Sequence, residues 1–377
     1  MVRVLFAGGG TGGHLYPGIA LALALREGDD PADSLFLCSD RGLDEREARR
    51  YGFTAEPVPA MRWRGLRSLP AVALGMAAGL AKTAWLLARR GSLPSITVGL
   101  GGYASFAPAL LTRLLGRPVV LLEQNVVPGR ANRLLSRLAT RVYAQWEESL
   151  PRFPDPSRVS CEGNPVRPEV TERDGADEQA GALRARRAFG LDPEAPVVAI
   201  LGGSQGSRTL NEAIVGAAPA LASVGAQVVH LLGRGKDRAG AQAAYAAAGV
   251  RALVEEYCDR MGELYAAMDL AVCRAGGTTI AELTAVGVPA VLVPYPHAAE
   301  DHQRANARAL AARGAAVVME EAEITPKSLG EALRGILGDR SRLAAMQAAA
   351  RSTGRPGAAR RLADEVRRLG ASRSRAR

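Results

Sequence analysis

Aromatic side chains are scarce in this chain, at 5% of 377 residues, so no array of stacking rings of the kind that grips single-stranded nucleic acid is present. The four cysteines, Cys38, Cys161, Cys258 and Cys273, are too scattered for metal-ligand spacing and too few for a disulfide scaffold, so reduced thiols are expected. No Asp-x-Asp pair occurs, which excludes the common device that holds a divalent metal on a diphosphate. His297 and His302 have no evident third ligand. Neither a metal site nor a cofactor is therefore expected. The first residues read as a strand, not as a signal peptide.

Charged residues make up 23% and hydrophobic ones 47%, the balance of a globular protein. The formal net charge of +10 favours polyanionic partners such as phosphorylated substrates or an anionic membrane face. Arginine supplies most of that charge, and no basic recognition helix is apparent, so nucleic acid is not the expected partner. The length suggests two domains.

Apolar runs alternate with helical patterns in both halves. Strands are expected at 2–7, 34–38, 95–98, 118–122 and 141–144. A second series is expected at 197–201, 227–232, 252–255, 270–273, 290–294 and 315–319. The class is α/β, with two doubly wound parallel sheets. The prolines of Gly163-Asn164-Pro165-Val166-Arg167-Pro168 mark a boundary. Domains are expected at 1–165 and 166–345. The stretch from Ser341 to Leu369 reads as helix, so that 346–377 forms a helix returning to the first domain and a basic tail.

Gly8-Gly9-Gly10-Thr11-Gly12-Gly13-His14 joins the first strand to the first helix. Glycines there allow close backbone approach to an anionic or sugar ligand, and the helix N-terminus supplies N–H donors. The spelling Gly8-x-Gly10-x-x-Gly13 also fits a dinucleotide-binding turn, with Asp40 in the place of the expected acid. Against this stands His14, a titratable group where the pyrophosphate would lie. A site that moves a proton needs such a group. A second glycine loop, Gly202-Gly203-Ser204-Gln205-Gly206-Ser207, opens the next series, with Asn211 one turn in. A third junction is Cys273-Arg274-Ala275-Gly276-Gly277-Thr278-Thr279-Ile280-Ala281-Glu282. Amides at 277–279 suit a diphosphate, and Glu282 can accept both hydroxyls of a ribose, though a helix-capping carboxylate is the simpler role. In the loop that follows, His302 and Gln303 are sugar-binding side-chain types.

With these motifs in hand, the chain resembles the MurG family. The matching segments are GGGTGGHLYP at 8–17, GGYASFAP at 101–108, EQNVVPGRAN at 123–132, GNPVR at 163–167, GGSQGSRTLN at 202–211, and CRAGGTTIAEL with PYPHAAEDHQRANA at 273–307. Leu122 departs from relatives that carry His at that place. The resemblance implies a GT-B type fold and an inverting transfer of N-acetylglucosamine. The donor would be UDP-GlcNAc and the acceptor the 4-hydroxyl of the muramyl sugar of undecaprenyl-linked lipid I, giving lipid II. It implies donor contacts at Thr11, Gly12, Gly13, Asn125, Arg167, Ser204, Cys258 through its backbone, Gly277 through Glu282, and Gln303. Tyr103, Asn125 and Asn132 would orient the sugars. Arg274 and helix dipoles would balance the leaving diphosphate. His14 is the candidate general base and Glu123 its rival. A related GT-B enzyme with another acceptor, or an NAD-dependent oxidoreductase built on the first loop, are the alternatives.

Residues 61–90 contain no acid. An uncharged run between Arg67 and Lys82, shorter than a span of about 20 residues, is flanked by Arg62, Arg64, Arg67, Lys82, Arg89 and Arg90. Two readings stand: an apolar patch lying on an anionic membrane, on the cytoplasmic face of the plasma membrane, or a helix buried in its own domain.

Overall fold

The computed structural model describes residues 2–10, 12–28, 30–39, 42–60, 69–171, 178–203 and 205–371. Two compact units divide the chain: Met1–Arg167 with Arg355–Arg377, and Pro168–Gly354. The expected boundary at 165 lies two residues before Arg167, and the one at 345 lies nine before Gly354.

Unit 1 carries strands β1 (Arg3–Gly8), β2 (Asp33–Cys38), β3 (Thr54–Pro57), β4 (Ile96–Gly101), β5 (Val119–Glu123), β6 (Arg141–Ala144) and β7 (Val159–Cys161). They pair in parallel in the order β3-β2-β1-β4-β5-β6-β7. Central strands are buried end to end, which is why they read as unbroken apolar runs. The Phe6 and Phe36 rings stack at 4.6 Å in the core. The edge strands β3 and β7 were not expected; Thr-Ala-Glu-Pro and Val-Ser-Cys are too short and polar to stand out. Between the strands lie α1 (Gly12–Arg26), α2 (Leu43–Arg50), α3 (Leu69–Arg89), α4 (Phe106–Leu114) and α5 (Arg130–Leu135).

Unit 2 opens with α6 (Pro168–Thr171) and α7 (Glu178–Ala188). Its strands are β8 (Val197–Leu201), β9 (Gln227–Leu231), β10 (Ala252–Glu255), β11 (Leu270–Cys273), β12 (Ala290–Leu292) and β13 (Ala316–Val318), all parallel, in the order β10-β9-β8-β11-β12-β13. The helices are α8 (Arg208–Gly216), α9 (Ala218–Ala222), α10 (Arg238–Ala247), α11 (Met261–Ala267), α12 (Gly277–Val286), α13 (His302–Ala312), α14 (Pro326–Leu337) and α15 (Arg340–Thr353).

The stretch expected as a single C-terminal helix is two. α15 ends at Gly354, and α16 (Ala358–Ala371) begins after Arg355-Pro356-Gly357, a sequence that cannot continue a helix. α16 belongs to unit 1. Leu362 and Val366 are fully buried in its core, and Arg367 donates to the carbonyls of Ala24, Leu25 and Glu27 at the end of α1. There a cation also meets the negative end of the α1 dipole.

Candidate functional site

Strand order reverses between β1 and β4 in unit 1, and between β8 and β11 in unit 2. Ligands of doubly wound sheets bind beyond the strand ends at such switch points. Both glycine loops, the Gly101-Gly102 turn and the Arg274–Gly277 junction sit at these four strand ends.

In unit 1 the first loop and the Gly101-Gly102 turn interlock. The amide of Gly9 donates to the Gly101 carbonyl at 3.2 Å, and a Cβ on Gly102 would stand 2.6 Å from the Gly9 carbonyl oxygen. Only glycines allow this approach. It brings the half-buried His14 imidazole, on the first turn of α1, against Gly101: a Cβ there would lie 3.0 Å from Cδ2 and 3.2 Å from Nε2 of His14. Asn132 Nδ2 borders the same point at 3.7 Å. That amide in turn donates to Glu123 Oε2 at 2.9 Å and to the Leu122 carbonyl at 2.8 Å. Glu123 is 3% exposed, and its carboxylate also accepts from the Asn125 amide at 3.0 Å, the Asn125 side chain at 3.2 Å and the Gly129 amide at 3.1 Å. Burial pushes this carboxyl up from its ordinary range, against the pull of these donors. Glu123 thus organises the loop after β5, with both oxygens occupied. Tyr103 lies nearby on the turn that follows Gly102, its ring paired with Phe106.

A carboxylate that the motifs did not flag braces the first loop. Asp44, 1% exposed, accepts from the Gly10 amide and from Ser39 Oγ. A negative charge already holds that amide, which removes the donor and adds repulsion where a dinucleotide pyrophosphate would sit. The oxidoreductase alternative loses its anchor here. Asp40, Thr11 and Ser204 lie outside the described residues. Arg167 is buried: its guanidinium stacks 4.3 Å over the Tyr16 ring and donates to Tyr51 Oη at 3.1 Å. Gln124, 2% exposed, has no hydrogen bond at either end of its amide among the described residues.

In unit 2, α12 starts at Gly277 with Gly276 as N-cap and no side-chain cap. By contrast, Ser207, Asp237, Thr325 and Asp339 cap α8, α10, α14 and α15 with side-chain oxygens. The N-cap of α12 thus supplies no side-chain oxygen to the first turn of the helix. Glu282 follows, 6% exposed, accepting from Tyr265 Oη at 2.8 Å. Ile280 and Ala281 between them are buried. Cys258 is buried, and burial raises its thiol, so its side chain is inert packing. Glu300 and Asp301 take left-handed backbone angles, φ 53° and 55°, just before His302 and Gln303. Such strain in non-glycine residues marks a constrained loop. His302 Nδ1 lies 2.7 Å from the Ala299 carbonyl, and Gln303 Oε1 accepts from the Tyr295 amide at 2.9 Å.

Two residues of the motifs, Arg274 and Asn211, are hydrogen-bonded within unit 2. Both terminal nitrogens of Arg274 are committed to protein acceptors: Glu321 takes both at 3.0 Å, and Ser207 Oγ takes one at 2.7 Å. Glu321 neutralises the cation and is held below the usual carboxylate range by it, while Arg274 links Ser207 of the second glycine loop to the Val293 and Pro294 carbonyls just after β12. Asn211 spends its amide on the Leu232 carbonyl at 3.0 Å and on His230 Nε2 at 3.1 Å; His230 Nδ1 meets Tyr245 Oη at 3.0 Å. Asn211 locks α8 to β9.

Two parallel α/β units with glycine-rich loops at both switch points form the GT-B fold, and the family matches make this a glycosyltransferase. The glycosyltransferase family 28 N-terminal domain matches residues 4–144, and the family 28 C-terminal domain matches residues 197–362. The chain belongs to the family of UDP-N-acetylglucosamine–N-acetylmuramyl-(pentapeptide) pyrophosphoryl-undecaprenol N-acetylglucosamine transferases. It is 41% identical to the one so named from Nitratidesulfovibrio vulgaris strain Hildenborough, over 97% of this chain and 96% of the relative. It is similar in structure to Acinetobacter baumannii MurG, with a TM-score of 0.75 and 27% identity over 98% of this chain and all of that one. The UDP-GlcNAc 2-epimerase of Neisseria meningitidis, at TM-score 0.67 and 14% identity over 97% of this chain and 99% of that one, shares the fold alone.

Proposed function

We infer that this protein transfers N-acetylglucosamine from UDP-GlcNAc to the 4-hydroxyl of the muramyl sugar in undecaprenyl-linked lipid I, forming lipid II for peptidoglycan. The full-length identity to named transferases carries this reading. In the mechanism we propose, His14 takes the proton of the acceptor hydroxyl. The acceptor oxygen forms a bond to the anomeric carbon from the face opposite UDP, and the diphosphate oxygen leaves with the bonding pair, inverting the centre. Support for His14 as base over Glu123 comes from hydrogen bonding. A carboxylate base needs an oxygen open to its substrate, and both Glu123 oxygens are spent on loop donors. Asn132 and Asn125, fixed by that carboxylate, are suited to hold sugar hydroxyls. In unit 2, the first-turn amides of α12 suit the diphosphate, and Glu282 suits the ribose.

Peripheral attachment to an anionic membrane on its cytoplasmic face is part of the proposal. The sequence suggested a run too short to span; α3 extends it to 21 residues, long and apolar enough to cross a membrane, with 28% of its most apolar window buried. Packing favours lying over crossing. Gly75, Gly79, Thr83 and Leu86 face inward, and a Cβ on Gly79 would stand 2.9 Å from Ala107 Cβ of α4. The opposite stripe, Leu74, Ala78, Ala81 and Trp85, is exposed. Arg62, Arg64 and Arg67 lie outside the described residues.

The direct test is transfer of radiolabelled sugar from UDP-GlcNAc to a lipid I analogue, with UDP-GalNAc as competitor. Labelled lipid II analogue, little affected by UDP-GalNAc, is expected. Transfer only to another acceptor would move the protein to a different GT-B activity.

A further inference from the structure

The donor reading gives Glu282 to the ribose; what holds Glu282 is a separate matter. A glutamate has three rotatable bonds, and accepting two vicinal hydroxyls requires its carboxylate plane to be fixed. One group that fixes it in this unit is a phenol. Tyr265 on α11 is 1% exposed, among the largest fully buried side chains, and donates its hydroxyl to Glu282 Oε2 at 2.8 Å. The phenol is itself immobile. The N-terminus of α11 is pressed against α6 so closely that a Cβ on Gly262 would overlap the Glu169 carbonyl. Leu264 and Ala267, flanking Tyr265 on α11, are fully buried.

We propose that Tyr265 is a positioning residue for donor recognition: its hydroxyl orients the Glu282 carboxylate for the two ribose hydroxyls. It does not itself touch the nucleotide. This rests on the ribose reading of Glu282. The ordering of the glutamate is then completed on folding and need not be supplied by the nucleotide, which is preorganisation. The phenol also favours ribonucleotide over deoxyribonucleotide indirectly, since its benefit exists only where ribose hydroxyls are present to be met.

The test compares UDP with 2′,3′-dideoxy-UDP by competition on the full-length protein, for wild type, Tyr265→Phe, Tyr265→Met and Glu282→Gln. Both ligands are measured on the same preparation, so any inactive fraction cancels in the ratio. The preference for UDP is expected to fall about three- to tenfold in Tyr265→Phe and Tyr265→Met, the range of one net hydrogen bond. KM for UDP-GlcNAc rises accordingly and kcat stays near wild type. A merely structural role would weaken both nucleotides alike and leave the ratio unchanged, and that result overturns the proposal. So does failure of both Tyr265 variants to fold, which would make the residue part of the core alone. If Glu282→Gln reduces the ratio while the Tyr265 variants do not, positioning fails and the ribose reading stands. If Glu282→Gln also leaves the ratio intact, the ribose reading itself is wrong, and the proposal goes with it.

Discussion

The two units share one topology at their switch points but treat buried polar groups in opposite ways. In unit 2, Asn211, His230, Tyr245, Arg274 and Glu282 are each tied to a protein partner. In unit 1, Gln124, Asn132 Oδ1 and Asp44 Oδ1 are buried with no hydrogen bond among the described residues. Each such group costs roughly 1–3 kcal/mol. A fold selected only for stability would replace them with apolar side chains. The named polar groups in the half read as binding the nucleotide are thus satisfied within the unit. The half read as holding the acceptor keeps buried polar atoms without a partner among the described residues.

Breaking the chemistry of unit 1 should leave binding in unit 2 untouched, and this carries the largest expected effect. His14→Ala is expected to lower kcat by about 10²–10⁴, the usual yield of general-base catalysis, with UDP affinity near wild type. Glu123→Gln is the companion. It sets an NH₂ group against loop donors, so it should loosen the loop after β5 without removing the base. A dead Glu123→Gln enzyme beside a His14→Ala enzyme of near-normal kcat would reverse the assignment.

The satisfied network of unit 2 has a pH signature. Burial lowers the pKa of fully buried His230 from 6.5 to about 4. Between those values the unfolded chain binds a proton that the folded unit refuses, so stability rises with pH across that window and is lost as pH falls through it. The slope contributed is about 1.4 kcal/mol per pH unit. Denaturant melts of the full-length protein between pH 6.5 and 4 should show it, and His230→Gln should flatten it. An unchanged slope in that variant would locate the titration elsewhere. Somewhat smaller is the effect of Glu282→Ala on UDP-GlcNAc affinity, a loss of about 1.5–3 kcal/mol for hydrogen bonds to a charged group. Unchanged affinity in a folded variant would remove Glu282 from the ribose.

Much of this comparison was legible in the sequence, for a physical reason. Strands buried on both faces write continuous apolar runs, and loops that approach a ligand or another backbone write glycine, so the central strands and the switch-point motifs stood out together. Edge strands β3 and β7 carry neither signal. Asp44, His230 and Tyr265 were missed because each acts through a partner distant in sequence: Asp44 is 34 residues from Gly10, and Tyr265 is 17 from Glu282. Arg274 and Asn211 show the same limit within the motifs themselves. Their partners, Glu321 and the end of β9, are 47 and 21 residues away, so the spelling of the motif gives no sign of these ties. The break between α15 and α16 was written plainly in Gly354-Arg355-Pro356-Gly357 but was outweighed by the helical pattern on either side.

The smallest effect per residue concerns the outer face of unit 1, and it extends the contrast from buried to exposed groups. Leu74 is 72% exposed on α3 and Trp85 50%, while Leu114, at the end of the packed neighbour α4, is 72% exposed. Cations surround the ring: Lys82 Nζ lies 4.6 Å and the Arg89 guanidinium 5.4 Å from the centre of Trp85. Apolar groups of this size would each prefer burial, and basic neighbours favour a surface of negative charge. Full-length protein is therefore expected to co-sediment with anionic vesicles and not with neutral ones, and to be released by salt. Lys82→Glu and Arg89→Glu should each weaken binding by roughly 1 kcal/mol or more, since each removes a cation near the surface and adds an anion. Trp85→Ala should weaken binding in a way that salt does not reproduce, because it removes buried ring area and not charge. Binding that ignores salt, or no binding to either vesicle, would return α3 to the reading of a solvated helix packed on its own sheet.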